Sequence, residues 1–307
     1  MLDGFLVVDK PSGMTSHDVV AILRRTFHQK KIGHTGTLDP FATGVLPIAL
    51  GEGTKAIPFL DESFKEYQAV MRLGISTDTL DFTGQVIAER EWGLITPEMV
   101  SATIPGFVGS VFQTPPMFSA LKRNGVPLYK LARNGETVVR EPRRIEVQSL
   151  QIDRIDLPCV AFTVRCSRGT YVRTLADDLG EALGTGAHLT ELRRTASGPF
   201  TLASAKSLED IASSADNIAG TCLINPRDAL SHLPELSIGE SAYNRLRNGI
   251  APSLSDLEGS SGILESGLVK IIFRDDLAAV CNLEVPEAGA LRIERVFNLF
   301  SALQHPA

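Results

Sequence analysis

Along the chain the spacing of apolar positions changes in a way that separates strands from helices. GFLVVDK, from Gly4 to Lys10, is a short apolar run and reads as a strand. Thr15 or Ser16 can cap a following helix whose apolar face includes Val19, Val20, Ile22 and Leu23. From Gly33 to Gly44 neither period holds. Three glycines, three threonines, Pro40 and Asp39 make this stretch an irregular loop leading into the apolar VLPIAL. KEYQAVMRL then alternates as a strand, with Tyr67, Ala69, Met71 and Leu73 on one face, and Phe82 to Glu89 is placed to pair with it. Thr96, Pro97 and Glu98 supply a cap, a first-turn proline and an acid at the positive end of a helix that should end near Pro105.

The second half continues in mixed fashion. PLYKLARNG reads as a short helix stopped by Asn134 and Gly135, and Ile145 to Cys166 as two strands. A helix from about Thr170 would bury Val172, Leu175, Ala176, Leu179 and Leu183. Strands alternating irregularly with helices predict an α+β fold with a largely antiparallel central sheet. Ser207 to Asn225, polar and rich in small residues, reads as a connecting helix and linker, so the expected domains are 1–229 and 230–307. In the second, Leu268 to Phe273, Ala278 to Glu284 and Leu291 to Val296 are the short strands of a small β domain.

Composition narrows the class. With 43% hydrophobic and 21% charged residues the chain belongs with globular proteins. No apolar run reaches the eighteen or so residues of a membrane span, and MLDGFLVVDKPSG lacks the basic region and cleavage site of a signal peptide, so a cytoplasmic location is expected. Cys159, Cys166, Cys222 and Cys281 show no C-x-x-C spacing and no nearby histidine pair. They are expected to be free thiols, with neither a zinc site nor a redox motif.

The net charge of -6 conceals an uneven distribution. From Ser207 onward fourteen acids face seven bases, a balance of -7, which leaves about +1 on the preceding residues. Arg24, Arg25, Lys30 and Lys31 lie in a stretch, Val19 to Leu38, without any acid, and Lys122 to Arg144 holds seven bases against Glu136 and Glu141. Each cluster can be a solvated face or part of a nucleic-acid surface.

Two segments carry candidate chemistry. GHTGTLDPFATGVLP, from Gly33 to Pro47, places one acid, Asp39, among small residues, where an acid serves either as a turn residue or as a reactive group. CSRGTYVRT, from Cys166 to Thr174, sets Arg168 and Arg173 beside Tyr171 at a strand-to-helix junction. Side chains two apart diverge on a helix, so joint use of Tyr171 and Arg173 requires extended chain there. The alternative is a helical pair between Arg173 and Asp177.

Taken together, DKPSGMTSHDVV, the fifteen-residue loop, KEYQA, RGTYVRT and GAHLTELRRTASGPF resemble, in order and spacing, the TruB family of pseudouridine synthases over roughly residues 3 to 200. The resemblance implies a pseudouridine synthase fold followed by a small β-barrel PUA-like domain, for which PELSIGESAYNRLRNGIAP is the matching segment. It makes Asp39 the nucleophile, Arg173 its ion-pair partner and Tyr67 the residue that stacks on the target uracil and moves a proton. His34, Tyr171 and Leu192 are assigned to the nucleotide pocket, and Lys10 and Pro11 to support beneath the loop. The implied substrate is the T loop of tRNA at position 55, with no cofactor, no metal, no membrane and no protein partner, and a monomeric chain is expected.

The chemistry agrees with those roles. Making pseudouridine breaks the bond from base to ribose, turns the base and joins another ring atom to the same sugar carbon, so nothing is oxidised. An ionised carboxylate suffices, whether it attacks the base ring or the sugar carbon. Arginine beside it favours the charged form, and an aromatic platform offsets the cost of unstacking the base. A second competing reading, a hydrolase using Asp39 with a metal, would want several acids or histidines converging, and only His34 lies near Asp39 in sequence. The main competing reading is an RNA-binding or tRNA-chaperone protein of the same fold that has lost catalysis. Joint retention of Asp39, Tyr67 and Arg173 argues against it.

Overall fold

The apolar run at the chain start forms strand β1 (Gly4–Lys10), and helix α1 (Ser16–Thr26) follows it in the computed structural model, which describes residues 1–258, 266–284 and 290–299. Thr15 caps α1 through a reciprocal pair of bonds with Asp18, and Val19, Val20 and Leu23 face the core. Further strands are β2 (Ile32–His34), β3 (Thr43–Leu50), β4 (Lys65–Leu73), β5 (Gly109–Gln113), β6 (Arg143–Asp156), β7 (Cys159–Cys166) and β8 (Ala187–Ser197). Between the last two of these lies helix α2 (Val172–Ala182).

Among the described residues these strands belong to a ten-stranded sheet, ordered Ala205–Lys206, β1, β3, β8, β4, β7, β6, β5, with β2 beside β3 and Phe200–Thr201 beside β8. Only β1 with Ala205–Lys206 and β8 with β3 run parallel, so the predicted antiparallel α+β arrangement holds. Tyr67, Ala69, Met71 and Leu73 are buried along β4 as the alternation required. Phe82 to Glu89 does not pair with β4. Both edges of β4 are taken, by β7 and β8, and Val86–Glu89 instead pairs with Ile75–Thr77 in a separate ribbon. The four cysteines are free, Cys166 and Cys281 buried and the other two half-buried.

The stretch expected to be a linker is packed instead. Ile211 and Ile218 join the main core, and Ile224 bridges to Phe5 of β1. Beyond it, Leu257–Glu258, Glu235–Ile238, Gly267–Phe273, Asp276–Glu284 and Ala290–Val296 form a five-stranded sheet in that spatial order, and among the described residues the end strands do not pair to close a barrel. Helix Glu240–Arg247 covers one face with Ala242, Tyr243 and Leu246. The other face is shared. Ile272, Leu277, Val280 and Phe297 form one apolar cluster with Phe5, Val7, Val45 and Ala49 of the main sheet.

That shared cluster ties the second sheet to the back of β1 and β3. Leu277 is fully buried in it, so Leu277→Ala is expected to cost about 2–5 kcal/mol of unfolding free energy. Hydrogen exchange should quicken in β1 and β3 as well as in the second sheet. Loosening confined to residues after 230 would show that the two sheets are not energetically joined.

Candidate active site

Asp39 occupies Thr35–Ala42, where the chain makes no regular structure and its polar backbone is answered from several distant segments. Ser16 Oγ at the start of α1 accepts from the Leu38 amide at 2.9 Å. The fully buried Lys10 donates to the carbonyls of Pro11 at 2.8 Å, Met14 at 2.7 Å and Pro40 at 3.2 Å. Burial pushes the Lys10 ammonium down to about 8, with the Asp39 charge opposing. Gly13 N–H also donates to the Pro40 carbonyl, and Ser12 Oγ to that of Phe41. From the opposite side Arg194, also fully buried, donates to the carbonyls of Val45 at 2.7 Å and Gly36 at 3.1 Å. Gly44 permits this close crossing: its φ is 98°, and a Cβ there would lie 2.2 Å from the Arg194 carbonyl oxygen.

Tyr171 is the last extended residue before α2, with φ −102° and ψ 107°, and its backbone is bonded at both ends to the Gln113 side chain. Arg173 follows in the first helical turn. The Tyr171 backbone stays extended and α2 begins at Val172, two residues after the start near Thr170 that its apolar spacing suggested. With this later start the two residues reach one cavity. Arg173 donates from Nε to Asp39 Oδ2 at 2.8 Å and from Nη2 to Oδ1 at 3.2 Å, a two-pronged grip. Its remaining donors reach the carbonyls of Thr79 at 2.7 Å and Phe118 at 2.8 Å, and Asp81 Oδ2 lies 3.7 Å from Nη1. The Asp177 alternative is thereby excluded. That carboxyl, pushed up to about 6 by burial and by Asp178 and Glu181, is not a partner of Arg173.

These residues face a cavity of about 410 Å³ lined by His34, Asp39, Tyr67, Tyr171, Arg173 and Leu192, so every site residue singled out in the sequence meets there. Burial raises the Asp39 carboxyl above its ordinary range. Arg173 opposes the rise, and Asp81 adds to it. Burial likewise raises the Tyr67 phenol, against the charge of Arg194, its cross-strand neighbour. Tyr67 therefore keeps its proton at neutral pH. His34 is held uncharged by burial and by the charge of His17, whose ring meets it edge-on at 5.4 Å. Pairing of Leu192 with Ala69 on β4 sets the apolar wall.

Sequence reading missed Asp81, Arg194 and Lys65 as parts of this site. Arg194 and Lys65 lie within the matched segments GAHLTELRRTASGPF and KEYQA, where position beside a recognised residue was the available signal. Asp81 had none, since only folding brings the ribbon after β4 against Arg173.

Comparison with known proteins fits this geometry. The chain's backbone superposes on a crystal structure of a Cbf5-Nop10-Gar1 complex with a TM-score of 0.74 and 30% identity, covering 96% of this chain and 85% of that one. A structure of an H/ACA RNP bound to a substrate RNA containing 2′-deoxyuridine gives 0.73 and 28%, with the same two shares covered. Such neighbours define a pseudouridine synthase fold. The TruB family pseudouridylate synthase N-terminal domain matches residues 24–172, and the tRNA pseudouridylate synthase B C-terminal domain residues 173–230, a division that falls at the start of α2. Proteins named tRNA pseudouridine synthase B are 54% identical in Geotalea uraniireducens, over 97% of this chain and 98% of that protein, and 54% in Geobacter sulfurreducens, over 97% and 100%. The chain belongs to the TruB family of pseudouridine synthases.

Two outcomes follow for the Asp39 carboxyl. Its folded pKa lies above the unfolded value, so the stability it contributes is full below the unfolded pKa and is lost as pH rises through the folded one. Asp39→Asn is therefore expected to melt no lower than the parent protein at pH 7; a clear drop would show that the charged pair is a net stabiliser. Arg173→Lys keeps the charge but not the fork, and should move the Asp39 carbon-13 carboxyl titration to still higher pH. An unmoved titration would mean that the grip does not set the ionisation of Asp39.

Proposed function

We propose that this enzyme converts uridine to pseudouridine in the T loop of tRNA, at position 55, with Asp39 as the nucleophile. The observation that carries this reading is the two-pronged Arg173–Asp39 contact on the wall of a nucleotide-sized cavity that also holds Tyr67. Arg173 aims the carboxylate and opposes the rise that burial causes in its pKa, which favours the ionised form that attacks. The bond from base to ribose breaks, the base turns, and a different ring atom joins the same sugar carbon. The base must first leave its stack at a cost of about a few kcal/mol. Tyr67 provides a face to stack on, Leu192 an apolar wall, and His34 and Tyr171 polar edges. Because its phenol holds its proton, Tyr67 serves as platform and hydrogen-bond donor before it serves as a base.

The names of the relatives support tRNA as substrate, and the structural neighbour bound to a substrate RNA supports binding of RNA at this fold. Residues 1–229 form the catalytic unit in this proposal and 230–307 a PUA-like unit. The second sheet, acidic in balance, leaves most phosphate contacts to Arg24–Lys31 and Lys122–Arg144. Among the described residues no helix is long and apolar enough to cross a membrane, and we place the enzyme in the cytoplasm as a monomer.

The test is pseudouridine mapping on a tRNA transcript in single turnover, with the parent protein and with Asp39→Asn. The parent should modify the T loop alone, and the variant should form no product while binding RNA as before, because the amide keeps the shape and loses the nucleophile. Product from Asp39→Asn would overturn the mechanism, and modification elsewhere with an untouched T loop would overturn the substrate.

A further inference from the structure

Lys65 opens β4 two residues before Tyr67, so strand alternation turns both side chains to the same side, and both line the cavity. Its ammonium is half-buried, yet among the described residues it makes no hydrogen bond and no ion pair. The other buried cations of the site are answered. Arg173 holds Asp39 and two carbonyls, Lys10 holds three carbonyls, and Arg194 holds those of Val45 and Gly36. Lys65 is the exception, and burial accordingly weakens its hold on its proton.

The surroundings of this ammonium suit an anion brought from outside. Arg168 and Thr170 line the same cavity, and the Arg168 guanidinium is mostly exposed, one edge bonded to Glu62 at 2.9 Å. The charges that act on Lys65 include Arg194, Glu62 and Arg168, whereas Arg173, Asp81 and Lys10 act on Asp39. Gly36 keeps space open above the ammonium: a Cβ there would stand 2.9 Å from Lys65 Nζ. A nucleotide whose base lies beside Asp39 and Tyr67 brings one kind of anion with it, the phosphodiester on either side of its ribose.

We propose that Lys65, with Arg168 at the rim, is a phosphate subsite of the cavity that takes a backbone phosphate flanking the flipped uridine. This rests on the reading that a uridine of RNA enters the cavity, and it adds where that nucleotide's charge goes. One charged contact made in a partly dry site gives a partner worth about ten- to a hundredfold in affinity. Lys65 thus helps to draw the nucleotide in and to fix the ribose against Asp39.

The experiment uses a T stem-loop RNA in three forms: native, and with a neutral methylphosphonate replacing the phosphodiester on the 5′ or on the 3′ side of the target uridine. Dissociation constants are measured across a salt series for the full-length protein and for Lys65→Gln, with melting curves to confirm that the variant folds. The parent protein should lose about ten- to a hundredfold in affinity at one of the two linkages. Lys65→Gln should lose as much on native RNA, lose nothing more at that linkage, and show a salt slope smaller by about one. Wild-type affinity in Lys65→Gln, or losses that simply add, would overturn the proposal. Should the variant not fold, full affinity of the parent at both neutral linkages overturns it by itself. Binding is read apart from turnover, so absence of pseudouridine on native RNA would count against the proposed reaction and leave this contact to be judged on the affinities.

Discussion

The guanidinium of Arg173 organises the site. Its donors are divided among Asp39, the carbonyls of Thr79 and Phe118, and the neighbouring Asp81, so one side chain at the start of α2 gathers three loops. Burying an arginine is costly unless its charge and its donors are all met. Here two carboxylates meet the charge and two carbonyls take the remaining edges. The same arrangement sets the chemistry: Asp39 is drawn toward ionisation by Arg173 and away from it by burial and Asp81. The ionisation of Asp39 is set by the opposition between these effects, and its direction in space is fixed by the fork.

The rest of the structure holds the partner of that fork still. Lys10, Ser12, Gly13 and Ser16 secure the residues on either side of Asp39, and Arg194 secures the approach to it. These groups bind backbone, not substrate. An irregular loop can thus be as firmly placed as a strand because its polar groups are satisfied by rigid elements around it. The central sheet positions β4 between β7 and β8, and so brings Tyr67 and Leu192 to the same opening.

Much of this was readable in the sequence because local rules and tertiary needs agree. The cap at Thr15, the alternation of Tyr67 to Leu73 and the buried stripe of α2 all survive folding. Asp39, Arg173, Tyr67, His34, Tyr171 and Leu192 were identified through the order and spacing of whole motifs, since composition alone does not distinguish Asp39 from a turn residue. Failures came where long-range competition decides. Phe82 to Glu89 lost β4 to strands far along the chain, and Ser207 to Asn225 looked like a linker because its two core isoleucines lie on separate short helices, Leu208–Ser213 and Ile218–Thr221, so no continuous stripe shows. Asp81 was missed for a related reason: its meaning depends on a neighbour ninety-two positions later, as the difference between 173 and 81 shows.

Arg194 gives the fold a history as well as a shape. It is 155 positions beyond Asp39, counting from 39 to 194, and the loop it holds leaves the ribosome long before it does. At synthesis rates of about 5–20 residues per second, the loop waits roughly 8–30 seconds for Arg194. Through that interval the nascent chain carries its loop without the groups that complete it. Until β8 is made and paired with β3 and β4, the loop lacks the Arg194 bonds to Val45 and Gly36 that hold it in the complete fold.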